Sequence, residues 1–271
     1  MYDHLSSDFT CVKMRNAFVT HTHVPGSVRG RRVAAVTATL TRRERQRAAT
    51  VEEIREVARG LMREQGTTDV RFTDIAKEMG MTPPALYRYY ADRDALLTDL
   101  IAEAYRELGR EVAEARENRD PDDIGGRWIA AGTAYRDWAR REPQQFALIL
   151  GMPVPGYVAP QEGPTTDAAK DAMSQLSALF IRAAELGVLK EPLVREVSDE
   201  MAACAVDKHP ELGDLVPPES FQAMIQTWAT LHGITCLDAY GQFDWMTDEA
   251  REALFVSTLK TAALAAGIPI D

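Results

Sequence analysis

Tyr87, Arg88, Tyr89, Tyr90 and Arg93 crowd into seven positions of a 271-residue chain. Two guanidinium groups among three phenols suit contact with a nucleic acid. Arginine can pair with a base edge or a phosphate, and tyrosine can bond phosphate or pack on sugar. Other chemistries show no such concentration. The chain has no glycine-rich phosphate loop, metal triad or nucleophile motif, so an enzyme is not expected. His21 and His23 form an isolated His-x-His, too little for a metal site. Cys11, Cys204 and Cys236 are odd in number and lack metal-ligand spacing. No disulfide framework and no cofactor is expected, and the thiols fit a reducing cytoplasm.

An aromatic and basic cluster reads DNA only if rigid elements present it. The stretch 70–97, VRFTDIAKEMGMTPPALYRYYADRDALL, reads as two short helices around a tight turn and the start of a further helix. The first helix of the unit is expected over about 50–65, with an earlier start as the alternative and Thr50 and Glu53 as a capping box. Val51, Ile54, Ala58 and Leu61 share its apolar face, with Val57 and Met62 beside them, and Gly66 ends it. A second helix is expected over 72–79, buried through Phe72, Ile75, Ala76 and Met79 and closed by Gly80. Thr82 should cap a third helix over 83–90, with Pro83 and Pro84 in its first turn, where a missing N–H costs nothing. Asp92 should cap the fourth helix.

The order IAxxxGMTPPALYRYYADRDALL, from Ile75 to Leu97, resembles the DNA-binding domain of tetracycline-repressor (TetR) family regulators. The resemblance rests on Ile75-Ala76, Gly80, Thr82-Pro83, Leu86-Tyr87, Tyr90, Arg93 and Ala95-Leu96-Leu97, and covers about residues 45–97. Trp228 to Gly233, WATLHG, looks like the WHG signature of one C-terminal subgroup. The resemblance implies an all-α fold, with an N-terminal three-helix helix-turn-helix domain and a larger helical bundle that binds a small molecule and dimerises. It implies a homodimeric transcriptional regulator, most simply a repressor, that binds a pseudo-palindromic double-stranded DNA operator. The competing reading is a helical ligand-binding or scaffold protein without specific DNA binding.

Departures from the family pattern shift the expected contacts. Arg71 stands where a hydroxyl usually caps the second helix, unless Asp69 or Thr73 substitutes, and its guanidinium can reach phosphate. Pro84 and Ala85 replace residues that often contact DNA, leaving only apolar contact there. Arg88 becomes the expected base reader. Arg43 in the run TRRERQR, Arg71, Tyr87, Tyr89 and Arg93 are the expected backbone contacts, with Thr82 at the helix start. For Arg93 the alternative is an ion pair with Asp92 or Asp94. Leu86 and Tyr90 are expected in the core.

Charge divides the chain in the same way. Residues 1–40 sum to +3, residues 41–97 to +1, and residues 98–271 to −14. An acidic body is repelled by DNA, so contact must come through the N-terminal quarter. Residues 1–40 lack any sustained period and are expected to be a disordered extension. Their RGRRVAAVTATL superficially resembles a twin-arginine signal, but its apolar part is short and no cleavage site follows. No apolar run reaches the roughly 18 residues of a membrane span.

Residues 98–271 should form the regulatory domain. Helices are expected over 124–141, at PQQFALIL from Pro143, and over 166–186, 193–206, 219–240 and 248–266, with the last two forming the dimer. Residues 151–164 are a proline- and glycine-rich loop. Trp128, Tyr135, Trp138, Phe146, Met173 and Phe180 are the candidates to line a narrow cavity for a largely apolar effector. For each of them the competing reading is ordinary helical core. His232 lacks a catalytic partner and reads as structural, while Gly233 should mark the close approach of another helix.

Overall fold

The computed structural model describes residues 41–160, 162–208 and 215–270. The expected extension over 1–40, with Cys11, His21 and His23, lies outside them. Among the described residues the regular structure is all helical: α1 (Arg42–Gln65), α2 (Phe72–Glu78), α3 (Pro83–Leu86), α4 (Arg93–Glu117), α5 (Ile124–Arg141), α6 (Pro143–Leu150), α7 (Pro164–Glu185), α8 (Asp199–Lys208), α9 (Pro218–Ala239) and α10 (Asp248–Ala265). The chain divides into two compact units, and the division falls inside α4, between Leu100 and Ile101.

In the smaller unit, α1 begins two turns earlier than its expected start. Thr41 rather than Thr50 makes the capping box. Its backbone N–H donates to Glu44 Oε2 at 2.7 Å, and the Glu44 N–H donates to Thr41 Oγ1 at 3.2 Å. Two threonine-to-glutamate boxes compete here, and RRERQRAA between them consists of strong helix formers, so the earlier box wins. Thr50 sits mid-helix and donates back to the Gln46 carbonyl. Ile54, Ala58 and Met62 form the deep stripe of α1, while Val51, Val57 and Leu61 are half-buried at its margins. Gly66 ends the helix at φ 62°.

Gly80 makes the turn between α2 and α3 at φ 62°, a left-handed conformation that favours glycine. The Met81 N–H then donates to the Ala76 carbonyl at 2.8 Å, closing α2 in the manner of a Schellman motif. Ile75, Ala76 and Leu86 are fully buried. The third helix is shorter than expected. After Leu86 the chain tightens, with Arg88 donating to the Ala85 carbonyl and Tyr89 to that of Leu86, an i to i+3 pattern. Asp92 accepts the Ala95 N–H at 2.8 Å at the head of α4.

In the larger unit, α9 packs on α5, α8 and α10, and α5 packs on α6, α7 and α10. Trp128 of α5 is buried and donates to the Leu259 carbonyl of α10 at 2.9 Å. The helix expected over 193–206 instead occupies Asp199–Lys208. Residues 189–198 are held in non-helical form: the Lys190 N–H donates to the Gly267 carbonyl and the Leu193 N–H to that of Ala265. Ser198 then caps the helix by accepting the Met201 N–H.

A candidate DNA-binding surface

The helix-turn-helix presents its expected contact residues in three different ways. Arg43, Arg71 and Arg88 are exposed, and none has a side-chain partner among the described residues. Arg43 stands in the first turn of α1, Arg71 at the cap position of α2, and Arg88 just past α3. Thr82 and Pro84 are exposed at the start of α3, and Ala85 is half-buried. The Thr82 side chain makes no cap bond, so the expected hydroxyl cap is not formed and the oxygen stays free for other donors. Arg71 likewise leaves α2 without a side-chain cap, and neither Asp69 nor Thr73 replaces it.

Tyr87 is 57% exposed, its ring packed on Phe72 at 5.2 Å between centroids, and its hydroxyl has no partner among the described residues. Tyr89 is half-buried beneath a guanidinium, that of Arg47, 5.2 Å above its ring centroid. Arg93 is engaged. It donates to Asp69 Oδ1 at 2.7 Å and lies 3.9 Å from Asp94. The ion pair therefore forms, with a partner 24 positions back rather than chiefly with a neighbour.

Tyr90 is buried, and its hydroxyl donates to Asp99 Oδ2 at 2.5 Å. Arg55 grips the same carboxylate with two bonds of 2.9 Å. Burial, followed by the bond to Asp99, pushes the Tyr90 phenol well above its ordinary range. Burial opposes charge on Arg55, but its bonds and attraction to Asp99 overcome that and raise its pKa. This triad ties the segment after α3 to α1 and α4. The sequence places Arg47 only within a phosphate-contacting run, and it does not single out Arg55 or Asp99. For the last two the available signal was a polar residue set beside an apolar helical stripe.

In the larger unit, Trp128, Tyr135, Trp138, Phe146, Met173 and Phe180 are all buried. Tyr135 and Trp138 meet Phe146 edge-on, at 5.8 Å and 6.5 Å. A cavity of about 510 Å³ opens elsewhere, at the head of α5, lined in part by Arg119, Ile124, Gly125, Lys260 and Ile270. A far smaller one, about 10 Å³, lies by Tyr105 and Pro160. None of the six expected effector contacts lines either. The Trp138 indole N–H is nevertheless buried without an acceptor among the described residues. Tyr135 and His232 Nδ1 share a hydrogen bond of 3.0 Å, Trp228 stacks on the imidazole at 5.3 Å, and Cys236 Sγ lies 3.4 Å from Nε2. Burial lowers the His232 pKa and raises that of Cys236, so both are held neutral, as structural groups are. Gly233 does not touch another helix of this chain: nothing lies within 4 Å of where its Cβ would be.

Two short helices joined by a glycine turn, with an exposed arginine just past the second, have the form of a helix-turn-helix DNA-binding domain. The sequence model described as bacterial regulatory proteins, tetR family, matches residues 54–100, and that of the tetracyclin repressor-like C-terminal domain matches residues 128–262. The chain is 30% identical over 217 residues to the HTH-type transcriptional regulator Rv1816 of Mycobacterium tuberculosis (strain ATCC 25618 / H37Rv), covering 76% of this chain and 91% of that protein. The same figures hold for Mb1846 of Mycobacterium bovis. The crystal structure of a candidate regulatory protein, SCO4313, is 32% identical with a TM-score of 0.61, covering 82% of this chain and 98% of the other. A protein of unknown function from Rhodococcus sp. RHA1, 20% identical with a TM-score of 0.58 over 78% of this chain and 94% of its own, shares the fold. The chain belongs to the TetR family of DNA-binding transcriptional regulators. No helix among the described residues is long and apolar enough to cross a membrane.

Proposed function

We propose that the chain works in the cytoplasm as a homodimeric, ligand-responsive repressor, with residues 41–97 binding a pseudo-palindromic operator and residues 98–271 binding effector and partner. The observation that carries the DNA reading is Arg88, exposed and unpaired beside α3. Arg43, Arg71 and the Tyr87 hydroxyl surround it as candidate phosphate contacts, since backbone contacts position a reading helix and base contacts give it specificity. The acidic remainder argues against any other face meeting DNA.

A second copy is supported by the outer faces of α9 and α10. Thr230, Gly233 and Leu237 follow one another on α9, and Leu254, Ser257, Thr261 and Leu264 on α10. Leu237 and Leu264 are 46% and 60% exposed, and no charged residue interrupts either run. Two such pairs of helices make a four-helix interface, with the two Gly233 positions allowing close approach. The effector reading is supported by the orphan Trp138 N–H. A buried donor without an acceptor costs roughly 1–3 kcal/mol, which a ligand carbonyl or ether entering the aromatic cluster would recover. The expected ligand is therefore largely apolar with one acceptor.

The test is selection of duplexes from a random pool, followed by titration of the best one. Arg88→Ala should relax the sequence preference by roughly 1–3 kcal/mol at the base it reads. Arg43→Ala and Arg71→Ala should weaken binding to all duplexes alike and flatten the salt slope by about 1 each. Failure of the wild-type chain to select any sequence at low salt would end this reading.

A further inference from the structure

Arg47 belongs to a basic run that sequence alone assigns to phosphates, yet its side chain, though exposed, folds back onto the chain. Its Nη1 donates to the Arg88 carbonyl at 2.8 Å, its Nη2 reaches the Tyr89 carbonyl at 3.4 Å, and its guanidinium lies over the Tyr89 ring. These are the carbonyls left open where α3 stops. Helical bonding ends with Tyr89 and Tyr90 both donating to Leu86, and Asp92 begins the next cap. A guanidinium at such a turn supplies donors to carbonyls that lie outside the helical ladder. The planar fork of arginine can bond two adjacent carbonyls while stacking on a ring, which a lysine cannot do.

We propose that Arg47 is a positioning residue for DNA recognition: it clamps the backbone at Arg88 and Tyr89 and so fixes the direction in which the Arg88 side chain leaves the surface. The proposal rests on the DNA-binding function and on Arg88 as base reader. It assigns Arg47 a role unlike that of Arg43, although both come from the same run of α1. A phosphate contact contributes to every sequence equally and to the salt dependence. A clamp contributes to discrimination and leaves the count of phosphates unchanged.

The experiment uses the full chain and the best selected duplex, with Arg47→Ala, Arg47→Lys, Arg88→Ala and the Arg47→Ala/Arg88→Ala double variant. Arg47→Ala should lower discrimination at the base identified by Arg88→Ala by about fivefold or more, within the range of a lost bidentate contact, with the salt slope unchanged. Arg47→Lys should recover little of it. The double variant should lose scarcely more discrimination than Arg88→Ala alone, because the two act through one contact. A salt slope flatter by about 1 with discrimination intact would make Arg47 a phosphate contact and overturn the proposal. Additive losses would also overturn it. Amide hydrogen exchange on the DNA-free chain tests the clamp separately. Arg47→Ala should speed exchange at residues 88–91 while leaving α9 unchanged, and unaltered exchange there would overturn the clamp. Faster exchange in Arg47→Ala, together with a wild-type chain that selects no duplex, would keep the contact and defeat the DNA-binding reading itself.

Discussion

At the scale of single residues, the local charges were legible and their partners were not. Arg93 was expected either on phosphate or on Asp92 or Asp94. It bonds Asp69, which lies 24 positions back and is brought near only by the turn between α1 and α2. Arg47 reaches carbonyls 41 and 42 positions ahead for the same reason. Helical spacing reports on neighbours three and four apart and is blind to such contacts. The Asp69 pairing yields a test. Asp69→Asn removes a carboxylate from the candidate DNA surface and releases Arg93. Binding should tighten severalfold at low salt, and the salt slope should steepen by about 0.9 for one added phosphate contact. An unchanged slope in a salt titration would mean that Arg93 stays off the DNA.

At the scale of helices, boundaries were read well where one cap stood alone and poorly where caps competed. Asp123 accepts the Gly126 N–H at the head of α5, and Pro143 opens α6, both where the sequence put helix starts. On α1 the box at Thr50 is the one read from sequence, and the one that forms is at Thr41. Thr41→Ala should therefore destabilise the chain by about 1 kcal/mol, whereas Thr50→Ala should be near neutral, since alanine is the better mid-helix residue. Equal losses in parallel denaturant titrations would return the helix start to Thr50. The helix expected from Leu193 failed because backbone bonds to Ala265 and Gly267, over 70 positions ahead, outbid local propensity. His232 gives the α9 region a pH response. Its folded pKa is lowered by burial from 6.5, so the unfolded chain takes up the proton first. Stability is full above pH 6.5 and is lost as pH falls from there through the folded pKa. The melting temperature should drop between pH 7.5 and 5.5 more steeply in the wild type than in His232→Gln.

At the scale of the molecule, the all-α class and the placing of a helix-turn-helix at the N-terminal side were legible because periodicity, caps and charge agreed. The aromatic cluster was legible as apolar, with packed core and cavity wall both open as readings. Period alone cannot tell a cavity wall from a core, and the larger open volume lies at the head of α5 instead. Gly233 was read as a close approach, yet its surroundings within the chain are open. A second copy is the proposed occupant of that space. Gly233→Arg should then convert a dimer to a monomer in sedimentation, while the helical content by circular dichroism stays the same. A dimer unaffected by this change would move the interface away from α9.

Arg136 of α5 is fully buried, donating to Asp238 of α9 at 2.6 Å and Glu252 of α10 at 2.5 Å, with its guanidinium over Phe255. With Arg136 itself the group spans three helices, and its two acids lie 102 and 116 positions ahead of it along the chain. A buried arginine deprived of its carboxylates is strongly unfavourable, whereas the complete set is tolerated. The consequence falls on recombination between relatives. A chimera that exchanges α9 and α10 alone, as one would to swap partner preference, strands a charge in the interior unless the donor happens to carry both acids. The natural unit of exchange therefore reaches back to include α5, and the seam between interchangeable parts lies before Ile124 rather than before Pro218.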